Sequence, residues 1–370
     1  MPVNVWGYLK EYEAEREEIM AAVEAVLGSG KLILGPNVDA FEREFAAYCG
    51  AAHGVGVDNG TNAVMLALLA AGLQAGDEVI TVSNTAVPTV SAIVAAGGVP
   101  RFVDIDPATY LMDVSALDAA VTPRTRAVVA VHLFGQCVNM EAVKEIAARH
   151  GLAVIEDCAQ SHGATRHGQV CGSLADAAAF SFYPTKILGT YGDGGMVLTG
   201  SEALAAKLRK LRFYGMEKTY YALEDGYNSR LDELHAAILR AKLKHLPAYI
   251  ARRRELAGRY DAALAGTSLT LPATAPGNEH AYYLYVARHP RRDAVMAGLK
   301  TREVNVNISY PWPIHTMTGY ARLGYKAGDL PRTEQAAREI FSLPMYPSLT
   351  DAEQDTAIAA LLETLAACDA

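Results

Sequence analysis

Between residues 78 and 199 short apolar runs take turns with helix-patterned stretches, and this alternation leaves the chain few architectures. The runs at 78–82, 101–105, 127–133, 152–156, 178–182 and 196–199 read as strands. The stretches at 90–96 and 140–149 read as helices. Strands joined through helices pair in parallel by crossovers, so the sheet must be covered on both faces. In such sheets ligands bind beyond the carboxyl ends of the strands. The polar residues that stand out in this chain follow those ends.

Flanking segments complete the outline. Pro36-Asn37-Val38 opens a helix with apolar positions Val38, Phe41, Phe45 and Tyr48, ended by Gly50. A second helix starts near Thr61 and stops at Gly72, apolar all round and therefore buried. A long helix from Leu231 carries Leu234, Ile238 and Ala241, with Pro247 closing it. Beyond it come a helical stretch at 249–264, an aromatic strand-like stretch at 280–287, a Pro-rich aromatic segment at 308–317 and a helix over 333–341. The prediction is an α/β large domain at 1–247, its mostly parallel sheet flanked by helices, and a smaller α+β domain at 248–370.

Composition narrows the function classes. The formal net charge is -8, and the longest basic run, Arg252-Arg253-Arg254, meets Glu255 at once. That run reads as a solvated helix face and excludes a nucleic-acid stripe. The first twenty residues carry Lys10, Glu11, Glu13, Glu15, Arg16, Glu17 and Glu18, unlike a secretory signal, and the apolar run at 63–73 is too short to span a bilayer. A cytoplasmic protein with no membrane partner is expected. Cysteines at 49, 137, 158, 171 and 368 are dispersed and odd in number, so small buried residues are expected rather than disulfides or a metal site. Gly54-Val55-Gly56-Val57-Asp58-Asn59-Gly60 has the look of a dinucleotide fingerprint, but Asn59 stands where the third glycine belongs.

Four local patterns carry chemistry, and each has a plain structural reading beside it. Asn59-Gly60-Thr61-Asn62 at a strand-to-helix junction can bind a phosphate on free N–H groups, or Thr61 can simply cap the helix. Asp157, at the end of the run Val154-Ile155-Glu156, can pair with a protonated ring nitrogen, or cap the next helix. In Phe180-Ser181-Phe182-Tyr183-Pro184-Thr185-Lys186, the lysine can form an imine with an aldehyde and Ser181 can meet a phosphate. A lone lysine is otherwise a surface residue. Gly226-Tyr227-Asn228-Ser229-Arg230 precedes a helix that Asn228 or Ser229 can cap, with Asp232 and Glu233 favouring its dipole.

Taken together these stretches resemble the DegT/DnrJ/EryC1/StrS family of sugar aminotransferases, of the aspartate aminotransferase-like fold type I. The matching motifs are NGTNAV at 59–64, GDEVI at 76–80, FVDID at 102–106, VHLFGQ at 131–136, VIEDCAQSHGA at 154–164, FSFYPTKILGTYGDGGMV at 180–197, LRFYG at 211–215 and NSRLDELHAAIL at 228–239. The resemblance implies pyridoxal 5'-phosphate as cofactor, a nucleotide-linked keto-sugar and L-glutamate as substrates, and a homodimer with shared active sites. By the same resemblance Lys186 holds the coenzyme and moves the proton, and Asp157 partners its ring nitrogen. Gln160 lies near the ring hydroxyl. Gly60, Thr61 and Ser181 contact the phosphate, and Asn228 reaches the phosphate in the neighbouring subunit.

The segment Tyr310-Pro311-Trp312-Pro313-Ile314-His315 matches a motif near the sugar, which makes Tyr310 and His315 candidate sugar contacts. With the stretch at 341–347 it leans toward amination at C3 of a dTDP-3-keto-6-deoxyhexose. Two departures stand out. Ala86 replaces an aromatic ring that covers the coenzyme, leaving Val87 or Pro88 for that face, and Ile187 follows the lysine where relatives carry Asn. Related sugar dehydratases carry His at the lysine position, which argues against that activity. A keto-cyclitol or 4-keto-sugar aminotransferase would share the same core motifs, and a non-catalytic sugar-binding regulator need not retain Lys186, Asp157 and Ser181 together.

Overall fold

The computed structural model describes residues 2–218 and 220–369. Its centre is a seven-stranded sheet: β1 His53–Val57, β2 Glu78–Val82, β3 Val99–Val103, β4 Thr125–Val131, β5 Ala153–Asp157, β6 Ala177–Ser181 and β7 Gly195–Thr199. The order is β1-β7-β6-β5-β4-β2-β3. All neighbours are parallel except β7, which runs antiparallel to both β1 and β6. β2 to β7 therefore fall where the apolar runs put them, within two residues at each end, while β1 was not expected as a strand. Residues of β2, β4, β6 and β7 are buried along nearly their whole length, as a sheet covered on both faces requires.

Helices cover the two faces. Pro36–Cys49 turns Val38, Phe41 and Phe45 inward and ends at Gly50 with φ 76°. Its first turn is capped from far along the chain. The Glu233 carboxylate, 1% exposed, accepts the N–H groups of Gly35 at 2.9 Å, Asn37 at 2.9 Å and Val38 at 2.7 Å. Glu233 was expected to serve the dipole of its own helix, Glu233–Leu243; it serves that of another.

Two large apolar clusters form the core, with a small third one around Val90 and Ile314. The larger surrounds the sheet, and the smaller gathers Val3, Leu256, Tyr260, Tyr285, Phe341 and Leu361 with their neighbours. The helix Leu246–Leu264 joins them: Leu246 and Ile250 belong to the first, Leu256 and Leu264 to the second. The expected division at 247 thus falls at the head of a shared helix. Pro247 lies in its first turn, where a missing N–H costs nothing, so it opens this helix rather than closing the preceding one.

Other expectations are corrected. Arg253 is 3% exposed and donates to the carbonyls of Tyr282, Tyr283 and Met345, so the middle of the basic run is a buried strut, while Arg252 and Arg254 stay partly exposed in ion pairs. The helix over 333–341 spans Pro331–Glu339 and gives way to a strand at Ile340–Leu343, which pairs with Tyr285–Arg288. Cys137 and Cys171 form a disulfide, whereas Cys49, Cys158 and Cys368 are free and buried. The two half-cystines meet because their loops are tied to the same pair: Val138 N–H donates to His132 Nδ1, and Gly172 N–H to Glu156 Oε2. The donor groups of His132, Cys137 and Cys171 crowd together, but the sulfurs are bonded to each other and both imidazole nitrogens are engaged. No described helix is long and apolar enough to cross a membrane.

Truncating Glu233 should strand three backbone donors at a buried helix start. Glu233→Ala is expected to lower unfolding stability by about 2–4 kcal/mol in a denaturant titration, and Glu233→Gln by less, because its amide oxygen still accepts. Equal stability of both variants and wild type would remove this cap from the account.

Candidate active site

The carboxyl ends of the six parallel strands and the start of β7 share one edge of the sheet, and the loops beyond them enclose a cavity of about 310 Å³. Gly60, Thr61, Asp157, Ser181 and Lys186 all line it. They come from three separate stretches of the sequence, around 60, 157 and 181–186, and the fold brings them together.

After β1 the chain enters the helix Gly60–Ala70 directly. Asn59 is its cap, accepting Asn62 N–H at 2.8 Å. Thr61 therefore does not cap, and its hydroxyl has no hydrogen-bond partner among the described residues. Gly60 sits against β6: a Cβ there would lie 2.6 Å from Ser181 Cβ. Only glycine lets the helix start come this close. Asn62 Nδ2 donates to both oxygens of Asp58, and Ser229 Oγ donates to Asp58 as well, which fixes the approach of the 228–231 segment behind this corner.

Asp157 ends β5 and is 6% exposed. Its Oδ2 accepts from Thr89 Oγ1 at 2.7 Å and its Oδ1 from Ala159 N–H at 3.1 Å. Lys186 follows β6 in a turn closed by its N–H to Tyr183 O at 2.8 Å. Its Nζ stands 4.7 Å from the centre of the Tyr283 ring, whose hydroxyl meets Thr185 Oγ1 at 3.1 Å. Tyr283, Thr89 and Asp193 were not singled out as site residues in the sequence. Thr89 directly follows Ala86, Val87 and Pro88, but nothing in the sequence signals its partner 68 residues away.

Gln160 and Tyr310 form a shelf to one side. Gln160 Oε1 accepts Phe134 N–H at 2.7 Å, and its Nε2 donates to the Tyr310 hydroxyl. Tyr310 stacks on Phe134 and adopts φ 65°. Burial pushes its phenol upward, so it stays protonated. Of the two candidates to replace the missing aromatic ring, Pro88 lines the cavity with Ala86, while Val87 is not among its walls. Asn228 is exposed, bridges to Phe213, and does not line the cavity of its own chain. His315 is fully buried, with Nδ1 at 2.8 Å from Ser83 Oγ and Nε2 at 3.1 Å from Glu334. Both nitrogens are taken, so a sugar finds no polar atom on it. His315 does not line the cavity.

Comparison with known proteins agrees with this geometry. The DegT/DnrJ/EryC1/StrS aminotransferase family model matches residues 13–362. The chain belongs to that family. It is 56% identical, over 99% of both chains, to the dTDP-3-amino-3,4,6-trideoxy-alpha-D-glucose transaminase of Micromonospora megalomicea subsp. nigra. Among solved structures it resembles DesV of S. venezuelae in complex with a ketimine intermediate, with TM-score 0.96, 42% identity and 98% of both chains covered. It also resembles NtdA of Bacillus subtilis with bound cofactor PMP, with TM-score 0.89 and 33% identity over 95% of this chain and 82% of that one.

One further titratable group of this aminotransferase borders the site. His162 is fully buried among Phe45, Phe180 and Phe182. Burial, with the charge of Lys186 adding, pushes its imidazole down to about 3. Burial also holds His280 at about 3, with Arg254 adding. Both are neutral in the fold, and each takes up a proton on unfolding below its ordinary value near 6.5. The unfolded chain then binds more protons, so stability falls as pH drops from 6.5 toward 3. Each imidazole should contribute a slope of about 1.4 kcal/mol per pH unit in that window. Denaturant titrations across it should give a shallower slope for His162→Phe; an unchanged slope would assign the acid sensitivity elsewhere.

Proposed function

We propose that this aminotransferase is a cytoplasmic homodimer that transfers the amino group of L-glutamate to a nucleotide-linked keto-sugar, a dTDP-3-keto-6-deoxyhexose, with pyridoxal 5'-phosphate held on Lys186. The observation that carries the reading is the convergence of an amine, a buried carboxylate and an open helix start on one cavity. Similarity to a dTDP-3-amino sugar transaminase along nearly the whole chain supports amination at C3.

The residues fit the coenzyme. The uncapped hydroxyl of Thr61, the N–H groups that open the helix Gly60–Ala70 and the Ser181 hydroxyl together suit a phosphate. Gly60 leaves room for that group to approach the backbone. When bound, the coenzyme supplies an electron sink in its protonated ring. Asp157, oriented by two donors, would face the ring nitrogen and favour its protonated form. Lys186 is the base that takes the proton from the donor's α-carbon and returns one to the sugar carbon. Tyr283 offers the freed amine a ring face on which to rest between those transfers. Gln160 and Tyr310 would border the ring and the sugar, and Pro88 would cover the face left by Ala86.

A second copy has somewhere to dock. Tyr214, Tyr220, Tyr221, Leu223 and Tyr227 are all exposed on one hairpin, Tyr220 at 94%. Asn228, adjacent to it and unused by its own cavity, is the residue this reading assigns to the partner's phosphate site.

Lys186→Ala should lose the borohydride-bleachable chromophore and lower turnover by at least about 10²–10⁴-fold. Asp157→Asn should retain the coenzyme while slowing the half-reaction with glutamate. A Lys186→Ala protein transaminating at wild-type rate would end the reading. For the substrate, a panel of 3-keto and 4-keto nucleotide sugars with glutamate, scored by product mass, should give amination in the 3-keto, dTDP-linked set. Product confined to 4-keto sugars or cyclitols would redirect the assignment.

A further inference from the structure

We propose that Thr89 is a positioning residue for Asp157, and that Thr85 dictates which way Thr89 points its proton. The proposal rests on the coenzyme reading above and goes one layer behind it. Thr85 and Thr89 are each 2% exposed, as close to dry as the carboxylate they support. Thr89 Oγ1 stands 2.7 Å from Asp157 Oδ2, and Thr85 Oγ1 stands 2.9 Å from Thr89 Oγ1.

The direction of this chain follows from counting protons. An ionised carboxylate only accepts, so Thr89 donates to Asp157. A hydroxyl has one proton, now spent, so the contact between the two threonines runs from Thr85 to Thr89. The relay is therefore polarised one way, toward the acid, and each member strengthens the next. The other oxygen is met by Ala159 N–H at 3.1 Å. Each carboxylate oxygen thus has one donor fixing it and lone pairs left over for a ring nitrogen.

Both threonines come from a segment the acid does not touch in sequence. Thr85 ends the loop after β2, and Thr89 lies in the first turn of the helix Val87–Ala95, its N–H bonded to Ala86 O at 3.1 Å. Burying a carboxylate without donors is costly, and a side chain with free rotation about χ1 would not present one oxygen to one nitrogen. The Thr85–Thr89 relay answers both needs before any ligand arrives. It gives the buried carboxylate a donor and holds it in one orientation, so that binding requires no rearrangement.

A hydroxyl that only glued the helix to β5 would leave the coenzyme's signature untouched. The test uses the full-length protein with Thr89→Val, which keeps the shape and removes the donor, Thr89→Ser, which keeps the donor, and Thr85→Val. Equilibrium dialysis with pyridoxal phosphate, visible circular dichroism of the bound chromophore and the half-reaction with glutamate are the measurements. Thr89→Val should weaken coenzyme binding about 10-fold, the effect of one charge-assisted hydrogen bond. It should also alter the dichroic band and lower the half-reaction rate constant more than it changes the sugar KM. Thr89→Ser should restore all three, and Thr85→Val should fall between. The proposal is overturned if Thr89→Val matches wild type in dichroism and dissociation constant, or if Thr89→Ser is as damaging as Thr89→Val. Wild-type protein that takes up no pyridoxal phosphate would sink the coenzyme reading and this proposal together. Uptake by wild type with an indifferent Thr89→Val sinks this proposal alone.

Discussion

Two consecutive carboxylates end the central strand of the sheet, and the arrangement around the site follows from how the fold satisfies them. Because side chains alternate along a strand, Glu156 and Asp157 leave β5 on opposite faces. Glu156 is wholly buried and accepts from His132 Nε2, Gly172 N–H and Leu174 N–H. It shapes the loops on its face, including the one that brings Cys171 to Cys137. Asp157 keeps fewer partners, Thr89 and Ala159, and faces the cavity. One acid is saturated and architectural, and its neighbour is left with accepting capacity. That difference separates a buried charge that only stabilises from one that can bind a cationic ring.

The reversed strand β7 has a part in this. Inserted between β1 and β6, it leaves those two parallel to each other, so both point the same way at the site edge. Its first residue, Gly195, has no room for a side chain: a Cβ would lie 2.4 Å from Asn59 O. The start of the helix Gly60–Ala70 and the end of β6 are drawn against this strand, and Thr61 and Ser181 come to line one pocket. In the sequence the pair Gly194-Gly195 marks only a turn that permits approach; the tight packing on Asn59 is what that approach consists of.

How much was legible depended on the range of the forces involved. The strands were readable because a fully buried strand must be apolar along its length, a local requirement. Lys186, Asp157, Gly60, Thr61 and Ser181 were nameable because they sit in contiguous motifs at strand ends. Glu233 was misread because its partners lie some two hundred residues earlier, and a glutamate at a helix start looks local whatever it does. Arg253 was misread because three arginines in a row look solvated, and carbonyls that bury one of them carry no sequence signal. The first helix, Tyr8–Ser29, went unnoticed since only Ile19 and Val26 along it are buried, too few to mark a face. The disulfide joins positions 34 apart, and neither cysteine stands in a paired-cysteine pattern.

His315 illustrates why motif identity and contact geometry must be argued separately. Its segment resembles one that lies near the sugar, yet its imidazole bridges Ser83 and Glu334 and never reaches the cavity. The bridge is not idle. Ser83 accepts the His315 backbone N–H as well, and it begins the Ser83-Asn84-Thr85 loop that leads into the helix carrying Pro88 and Thr89. Ile314 packs beside Val90 and Phe102, fastening the same helix from outside. The C-terminal segment therefore braces the far side of the wall whose near side supports Asp157.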